Sequence, residues 1–261
     1  MTPRLVASDL DGTLLRSDGT VSPRTREVLA RVERSGVLFV MVTGRPPRWM
    51  GTVAEQTGHR GIAVCANGAL VYDLHTERVI RSSPIAASAA ADVVAALRRD
   101  VPGITFAVER VLEGFGREPS YLPRWDVGEA AVAPVEELIA AGVVKLLARH
   151  EELGSDELLA RARESVGAVV ECTHSTTDGL LEISATGISK ASGLASIAEE
   201  REVAADEVVA FGDMPNDLPM LSWAGHSVAM SNAHPEVLAT VDEVAASNDE
   251  DGVAQVLERW F

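Results

Sequence analysis

Two carboxylates stand one residue apart directly after the first apolar run of the chain. The run 5–7 is Leu-Val-Ala, and Asp9 and Asp11 follow it, with Gly12 and Thr13 next. Such a pair at the end of a strand could supply a cation ligand and a nucleophile, and a glycine turn lets a phosphate approach the backbone. Carboxylates repel phosphate unless a divalent metal ion lies between them, so the motif predicts Mg²⁺. Read alone, the same residues also fit an acidic turn.

Further polar side chains follow apolar segments or open a helix: Thr43, Lys190, Asp213 and Asp217. Each has an ordinary alternative, such as a loop threonine, a solvated lysine or an acidic turn that caps a helix. The carboxyl ends of parallel strands meet at one edge of a sheet, where ligands bind in open α/β folds. The occurrence of all these residues in this order therefore predicts one site shared with Asp9 and Asp11.

Lysine is rare in this chain. Of the 23 basic residues only Lys145 and Lys190 are lysines, and the other 21 are arginines. A lysine carries a compact charge, whereas an arginine presents a planar fork, so a retained lysine can indicate that a point charge is needed. Chance would also leave a few lysines, so composition suggests a role for these two without assigning one.

Alternating strands and helices predict a parallel α/β core built from two parts of the chain. Ser22 is a candidate N-cap with Pro23 at the first helical position, and the continuous apolar run 37–42 is typical of a parallel strand covered on both faces. The predicted core elements are a helix from Pro23 to Gly36, strand 37–42, a helix from Pro46 to Gly58, a turned strand pair at 62–66 and 69–72, helix 191–200, strand 208–211, helix 218–223, strand 227–230 and helix 251–260.

The rhythm changes between these parts, which predicts an inserted α+β domain at 84–183 and a core formed by 1–83 and 184–261. The insert is expected to contain helices 86–99, 135–141 and 156–165, strands 104–108, 143–148, 168–172 and 180–184, and an irregular segment at 114–134. The fold class is therefore α/β, a Rossmann-like parallel sheet with an inserted domain.

Composition excludes several classes of function. The net charge of −16 argues against non-specific nucleic-acid binding and requires any phosphate site to be locally cationic. No apolar stretch approaches the roughly 20 residues of a membrane span. Only Cys65 and Cys172 are present, so a disulfide framework is not expected. Because the first strand starts near residue 1 without a signal peptide, we expect a cytoplasmic protein.

Together these motifs resemble the haloacid dehalogenase (HAD) superfamily phosphatases, in particular the Cof-like branch, subfamily IIB, with a large α/β (C2-type) cap. The matching stretches are DLDGT at 9–13, VTGR at 42–45, ISK at 188–190 and GDMPND at 212–217, supported by ANGA at 66–69, AMSNA at 229–233 and SNDEDGVA at 247–254. The insert matches only by position and size. Ser231 and Ala191 stand where many relatives carry glycine, and neither is a catalytic side chain.

The resemblance implies a catalytic role for each core motif. Asp9 would attack phosphorus and form an aspartyl-phosphate, and Asp11 would protonate the leaving alcohol and later deprotonate the hydrolytic water. Asp11 must then begin protonated, which crowding by neighbouring carboxylates favours. Thr43 would hydrogen-bond a phosphoryl oxygen, and Lys190 would neutralise charge on Asp9 and on the transferring group.

Mg²⁺ is the implied cofactor. Its ligands would be the Asp9 carboxylate, the backbone carbonyl of Asp11 and the Asp213 carboxylate, completed by waters and a phosphate oxygen. Supporting residues at the same rim, of which the first would orient a metal-bound water or Lys190, are Asp217, Asn216 and Gly44.

Residues that could contact the substrate are Arg45, Asn67 and Glu182. Arg45 could instead cap its own loop, and Glu182 could be a plain strand residue. Tyr121 and Trp125 in the insert could stack on a sugar ring, although packing beneath a long loop is the better interpretation.

The sequence as a whole predicts an Mg²⁺-dependent phosphomonoester hydrolase acting on a small phosphorylated metabolite, with sugar phosphates favoured. The insert would act as a lid that sets specificity and excludes water. Two alternatives stay open: a phosphomutase that passes the phosphoryl group of Asp9 to another hydroxyl, and a non-catalytic protein that binds a phosphorylated metabolite. No nucleic-acid or membrane partner is expected, and a monomer or weak homodimer is predicted.

Overall fold

The apolar run before Asp9 forms strand β1 (Leu5–Ser8), and all four of its residues are buried. The computed structural model describes residues 2–111, 114–140 and 142–261. The chain divides into two units: the first comprises the residues up to Arg81 together with Ser189–Phe261, and the second comprises Ser82–Ile188. The predicted insert, 84–183, lies inside the second unit, which extends further because the last strand of its sheet runs to Ala185.

The first part of the chain alternates strands and helices. After β1 come α1 (Pro23–Arg34), β2 (Leu38–Val42), α2 (Met50–Thr57), β3 (Ile62–Cys65), β4 (Leu70–Asp73) and β5 (Arg78–Ser82). Ser22 caps α1 by accepting a hydrogen bond from the Thr25 amide at 3.0 Å, and Pro23 takes the first helical position. Gly58, with a φ of +75°, ends α2 in the left-handed conformation that glycine favours there.

The second unit is an α+β domain. Its elements are α3 (Ala87–Asp100), β6 (Thr105–Arg110), β7 (Gly114–Arg117), β8 (Ala131–Val132), α4 (Val135–Leu138), β9 (Lys145–Arg149), α5 (Ser155–Val166), β10 (Val170–Thr173) and β11 (Leu180–Ala185). Within the described residues its strands form one sheet in the order β10-β11-β9-β6-β7-β8. Apolar residues of α3 and α5 share the larger core cluster with alternate strand residues, and Phe115, Tyr121 and Leu147 belong to a smaller one.

The chain returns to the first unit at Ser189. The remaining elements are α6 (Lys190–Glu200), β12 (Val208–Gly212), α7 (Leu218–Trp223), β13 (His226–Met230), α8 (Pro235–Leu238), β14 (Glu243–Ala245) and α9 (Gly252–Leu257). In the part of the chain that the structure describes, the sheet order is β14-β13-β12-β1-β2-β3-β4-β5. The strands from β14 to β3 run parallel, and β4 pairs antiparallel with β3.

β1 lies between β12 and β2, and the predicted site lies at the carboxyl ends of these three strands. Ser8, its last residue, is in register with Phe211 on one side and Met41 on the other. All three strands are almost completely buried, as expected for parallel strands covered on both faces. Because the strands are parallel neighbours, the residues that follow them, Asp9, Thr43 and Asp213, reach the same edge of the sheet.

The predicted α/β core with an inserted α+β domain is confirmed. The segment 114–134, predicted to be irregular, instead contains β7 and β8; two of the four β7 residues are glycine, so no alternating pattern marks it. The short elements β5, α8 and β14 were not predicted. The predicted helix 135–141 ends at Leu138, and residue 141 lies outside the described residues. No helix among the described residues is long and apolar enough to cross a membrane.

Gly68 marks a close approach between the single turn of 3₁₀-helix Ala66–Gly68 and the start of α6. Its φ is +102°, and a Cβ there would lie 2.0 Å from the carbonyl oxygen of Ser189. Glycine alone tolerates both conditions. Ser189 is the N-cap of α6, so this contact fixes the position at which Lys190 enters the first unit.

We expect Gly68→Ala to lower the free energy of unfolding by about 2–4 kcal/mol, because it combines overpacking with a strained positive φ. Gly19→Ala is the matched control, since Gly19 also has a positive φ (+78°) but nothing lies within 4 Å of an added Cβ. Its loss should be about 1 kcal/mol. Urea denaturation measures both values, and equal losses would mean that the Ser189 contact does not constrain the fold.

Candidate active site

Asp9 is fixed by the strand next to it and by Lys190. Its amide donates to the carbonyl oxygen of Phe211 at 3.0 Å, so the backbone pairing with β12 continues past the end of β1. The side chain is buried, and Lys190 Nζ donates to Asp9 Oδ1 at 2.5 Å. Burial raises the pKa of Asp9 well above its ordinary value; Lys190 opposes that shift, and Asp217 and Asp213 add to it.

Lys190 is held between two carboxylates. Besides Asp9, its Nζ donates to Asp217 Oδ1 at 2.6 Å, and the side chain is almost completely buried. Ser189 caps the helix that Lys190 opens, and Ser192 completes the capping box. Burial by itself lowers the pKa of the Lys190 ammonium, but Asp217 and Asp9 outweigh it and the pKa is raised. Lys190 is therefore a permanent cation in this site.

Three buried carboxylates lie together at the edge of the sheet. Asp9, Asp213 and Asp217 each offer an oxygen within 4.8 Å of the others. Burial and the charge of Asp217 raise the pKa of Asp213 to about 7, although Thr13 and Lys190 oppose the shift. One ammonium does not balance three carboxylates, and hard oxygen donors suit a divalent cation. The donor set and its excess negative charge therefore fit a divalent metal ion.

Asp217 is engaged by protein groups on both oxygens. Its Oδ1 accepts from Lys190, and its Oδ2 accepts from the amides of Asp213 and Met214, both at 3.0 Å. These bonds shape the turn that follows β12 and hold Lys190 in place. Asp217 thus contacts Lys190 directly, and its predicted role of orienting that lysine stays a prediction.

Gly12, Thr13 and Asn232 connect the first motif to the Asp213 loop. A Cβ on Gly12, whose φ is +80°, would lie 2.3 Å from Asp213 Oδ2, so only glycine permits this approach. Thr13 Oγ1 donates to Asp213 Oδ1 at 2.7 Å, and Asn232 Nδ2 donates to the Gly12 carbonyl at 2.9 Å. Sequence reasoning assigned no role to Thr13 or Asn232, although both lie in stretches that it quoted.

Asp11 stands apart from the buried carboxylates. Its side chain is 58% exposed, and both of its oxygens accept hydrogen bonds from Arg45. The carboxylate crowding that was expected around Asp11 falls on Asp9 and Asp213 instead. Arg45, one of the substrate candidates, is therefore within contact of the residue predicted to be the general acid.

Thr43, Gly44 and Arg45 form the loop after β2. Thr43 is buried, and its Oγ1 accepts a hydrogen bond from the Arg45 amide at 3.0 Å. The Arg45 carbonyl accepts from the Ala66 amide at 3.0 Å, which ties this loop to the turn after β3. Thr43 thus lies at the same edge as Asp9, and Gly44 is the residue between Thr43 and Arg45.

Asn67 and Asn216 meet at the rim of the first unit. Both are buried, and Asn216 Nδ2 donates to Asn67 Oδ1 at 3.2 Å. Asn67 adopts a left-handed φ of +55°, which asparagine tolerates better than most residues. Asn67 Nδ2 and Asn216 Oδ1 have no further partner among the described residues, so the pair retains hydrogen-bonding capacity.

Glu182 lies in the second unit, on β11, where Lys145 of β9 pairs with it. Both side chains are buried, and Glu109 on β6 lies directly opposite Lys145 in the sheet. The two lysines of the chain are thus both buried against carboxylates. In the same unit Tyr121 is fully buried and Arg149 lies 5.5 Å from the Trp125 ring, so the packing interpretation of these aromatic residues is the one observed.

Comparisons with known proteins find similarity over nearly the whole chain. The model of the haloacid dehalogenase-like hydrolase family matches residues 6–257. Pyridoxal phosphate phosphatase YbhA of Escherichia coli is 27% identical over 270 residues, covering 98% of this chain and 98% of that protein. The Bacillus subtilis protein named 5-amino-6-(5-phospho-D-ribitylamino)uracil phosphatase YitU is 28% identical over 272 residues, covering 99% and 98%.

A solved structure gives the same result. BT1666 of Bacteroides thetaiotaomicron, described among phosphatases of the haloalkanoate (HAD) enzyme superfamily, matches with a TM-score of 0.82 at 26% identity. The match covers 98% of this chain and 94% of that one. It therefore includes both units.

The buried Lys145–Glu182 pair allows a test of a structural role. We expect Lys145→Met to lower the free energy of unfolding by about 3–5 kcal/mol, because it leaves buried carboxylates without their cation. The double variant Lys145→Met/Glu182→Leu should lose less than the single one. Arg161→Ala, which breaks the exposed pair with Glu157, is the control and should cost less than about 1 kcal/mol. Chemical denaturation measures all three, and a double variant that loses as much as Lys145→Met or more would contradict the pairing.

Proposed function

Because the chain belongs to the haloacid dehalogenase-like hydrolases and is a phosphatase of that family, we propose that it hydrolyses small phosphate monoesters, sugar phosphates above all, through an aspartyl-phosphate on Asp9. The observation that carries the proposal is the buried contact of Asp9 with Lys190, beside the carboxylates of Asp213 and Asp217. A carboxylate held in one position by a cation at the end of a central strand is suited to attack a phosphoryl group.

Mg²⁺ is the proposed cofactor. The Asp9 and Asp213 carboxylates and the backbone carbonyl of Asp11 would hold it, whereas Asp217 is committed to Lys190 and to two backbone amides. When bound, Mg²⁺ would neutralise charge on the phosphoryl oxygens.

The proposed reaction has two steps. First, an Asp9 oxygen forms a bond to phosphorus while the ester P–O bond breaks, and Asp11 gives its proton to the departing alkoxide. The alcohol then leaves uncharged. Second, Asp11, now a carboxylate, takes a proton from a water whose oxygen attacks phosphorus. The bond between Asp9 and phosphorus breaks, and inorganic phosphate leaves while Asp11 is protonated again.

The remaining polar residues hold the phosphoryl group and the nucleophile. Lys190 keeps Asp9 oriented and balances charge as it passes to phosphorus, and the Thr43 hydroxyl donates to a phosphoryl oxygen. Asn216 and Gly44 support the rim, where Asn216 has an acceptor and Asn67 a donor to offer. In phosphoryl transfer, positioning and electrostatic stabilisation supply most of the catalysis.

Small phosphorylated metabolites are the proposed substrates. Two relatives carry names that specify pyridoxal phosphate and a phosphorylated ribityl compound, which are both small phosphate esters. A net charge of −16 disfavours a large polyanion such as nucleic acid. The cytoplasmic location and the monomer or weak homodimer stay predictions.

Substituting the two catalytic carboxylates tests their roles. We expect Asp9→Asn to lower kcat at least about a thousandfold, because the nucleophile is lost, and Asp11→Asn to lower it about 10²- to 10⁴-fold on an alkyl phosphate. The control Asp206→Asn changes an exposed aspartate before β12 and should leave kcat unchanged. The measurement is phosphate release from a panel of sugar phosphates. Near wild-type turnover by Asp9→Asn would refute the proposal. An isomerised sugar phosphate among the products would identify a mutase.

Metal removal tests the cofactor. We expect excess EDTA to abolish turnover and added Mg²⁺ to restore it, because otherwise the carboxylates would repel the phosphate. Undiminished hydrolysis in EDTA would rule out the metal-dependent mechanism. Turnover restored by Ca²⁺ is an informative comparison with turnover restored by Mg²⁺, because the larger and more flexible coordination shell of Ca²⁺ suits this chemistry poorly.

A further inference from the structure

We propose that Arg45 is a substrate-operated latch on Asp11: it holds the Asp11 carboxylate while no phosphate is bound, and it exchanges that partner for the phosphate group of the substrate. The inference rests on the proposed function, because it takes Asp11 to be the residue that transfers the proton. The inference makes Arg45 a positioning residue of the site. It also sets an order of events, in which phosphate binds first and Arg45 then releases Asp11.

The contact between Arg45 and Asp11 engages both carboxylate oxygens. Arg45 Nε donates to Oδ2 at 2.8 Å, and Nη2 donates to Oδ1 at 2.5 Å. A general acid must come within hydrogen-bond reach of the oxygen that it protonates. With each of its oxygens accepting from one guanidinium, Asp11 is in a resting arrangement. The pair has to open before Asp11 can take up a proton from solvent, to which its side chain is 58% exposed, and then donate that proton as the acid.

Phosphate is the partner best suited to open this pair. The Asp11 side chain is 58% exposed and that of Arg45 23% exposed, so water and salt weaken their attraction. A phosphate dianion carries twice the charge of a carboxylate and accepts the same two parallel hydrogen bonds from a guanidinium. It therefore competes directly for the fork of Arg45, which a lysine could not present in this form.

The backbone of Arg45 is held next to Thr43, the proposed phosphate ligand. Its amide donates to the hydroxyl of Thr43, and its carbonyl accepts from Ala66. The loop is thus tied at two points, so the exchange of partners requires only rotation of the Arg45 side chain. Asp11 is released without any rearrangement of the buried Asp9–Lys190 contact.

A binding cycle with inorganic phosphate in the presence of Mg²⁺ tests the latch. Calorimetry on the full chain would compare the wild type, Arg45→Gln, Asp11→Asn and the double variant. We expect Arg45→Gln to weaken phosphate binding about tenfold, through loss of a charge-assisted pair. We expect Asp11→Asn to strengthen binding, and by about three- to fivefold more when Arg45 is present than in the Arg45→Gln background.

The cycle separates a latch from simple repulsion. Removing the Asp11 charge favours phosphate in any background, but only a latch makes part of the gain depend on Arg45. Arg24 makes the same two-pronged contact with Glu258 elsewhere in the first unit, so Arg24→Gln is the matched control and should leave phosphate affinity unchanged. Arg45→Lys, which keeps the charge but lacks the fork, should recover part of the affinity.

Three outcomes overturn the latch: equal gains from Asp11→Asn in both backgrounds, unchanged affinity in Arg45→Gln, or no phosphate binding by the wild type. The cycle involves no turnover, so its result is independent of the hydrolysis assays. Loss of hydrolysis in Asp9→Asn without coupling between Arg45 and Asp11 would leave the proposed function standing and remove the latch. Coupling together with an active Asp9→Asn variant would remove the proposed function.

Discussion

The ammonium of Lys190 is the interaction on which the rest of the site depends. It lies between Asp9 and Asp217 in a buried position, and a third carboxylate, Asp213, is within 4.8 Å of both acids. Burying three like charges without a cation would be prohibitive. Lys190 makes the arrangement possible, yet it balances only part of the charge, and the remainder is what a divalent ion would neutralise. The same electrostatic constraint therefore accounts for both the fold at this edge and its chemistry.

The two carboxylates of the first motif are held in opposite ways. Asp9 is buried, bonded through its amide to β12 and through its side chain to Lys190, so its position is fixed. Asp11 is more than half exposed and contacts the side chain of Arg45. In the proposed mechanism Asp9, as nucleophile, gains from a fixed position, whereas Asp11, as acid and then base, has to face two different groups. A separation of one residue places a buried and an exposed carboxylate side by side.

The sequence predicted the site residues that follow from the topology of a parallel sheet. Asp9, Thr43 and Asp213 follow apolar runs, and parallel strand ends share an edge, so their proximity could be inferred without coordinates. The contact between Arg45 and Asp11 could not, because the partner of an exposed side chain depends on loop conformation. Thr13 and Asn232 were missed for a similar reason, since each bonds to a residue about 200 positions away in the chain. The family resemblance is confirmed, whereas the individual catalytic roles stay predictions.

The position of β1 between β2 and β12 has a consequence for how the chain is made. β2 follows β1 within 30 residues of the chain, but β12 begins at Val208, after the entire second unit. At ordinary translation rates the free edge of β1 waits roughly 10–40 s for its second neighbour. During that interval an apolar strand has unpaired backbone groups along one side, which is a template for pairing with other chains. The central strand that precedes Asp9 is thus also a segment of the nascent chain that depends on a late partner.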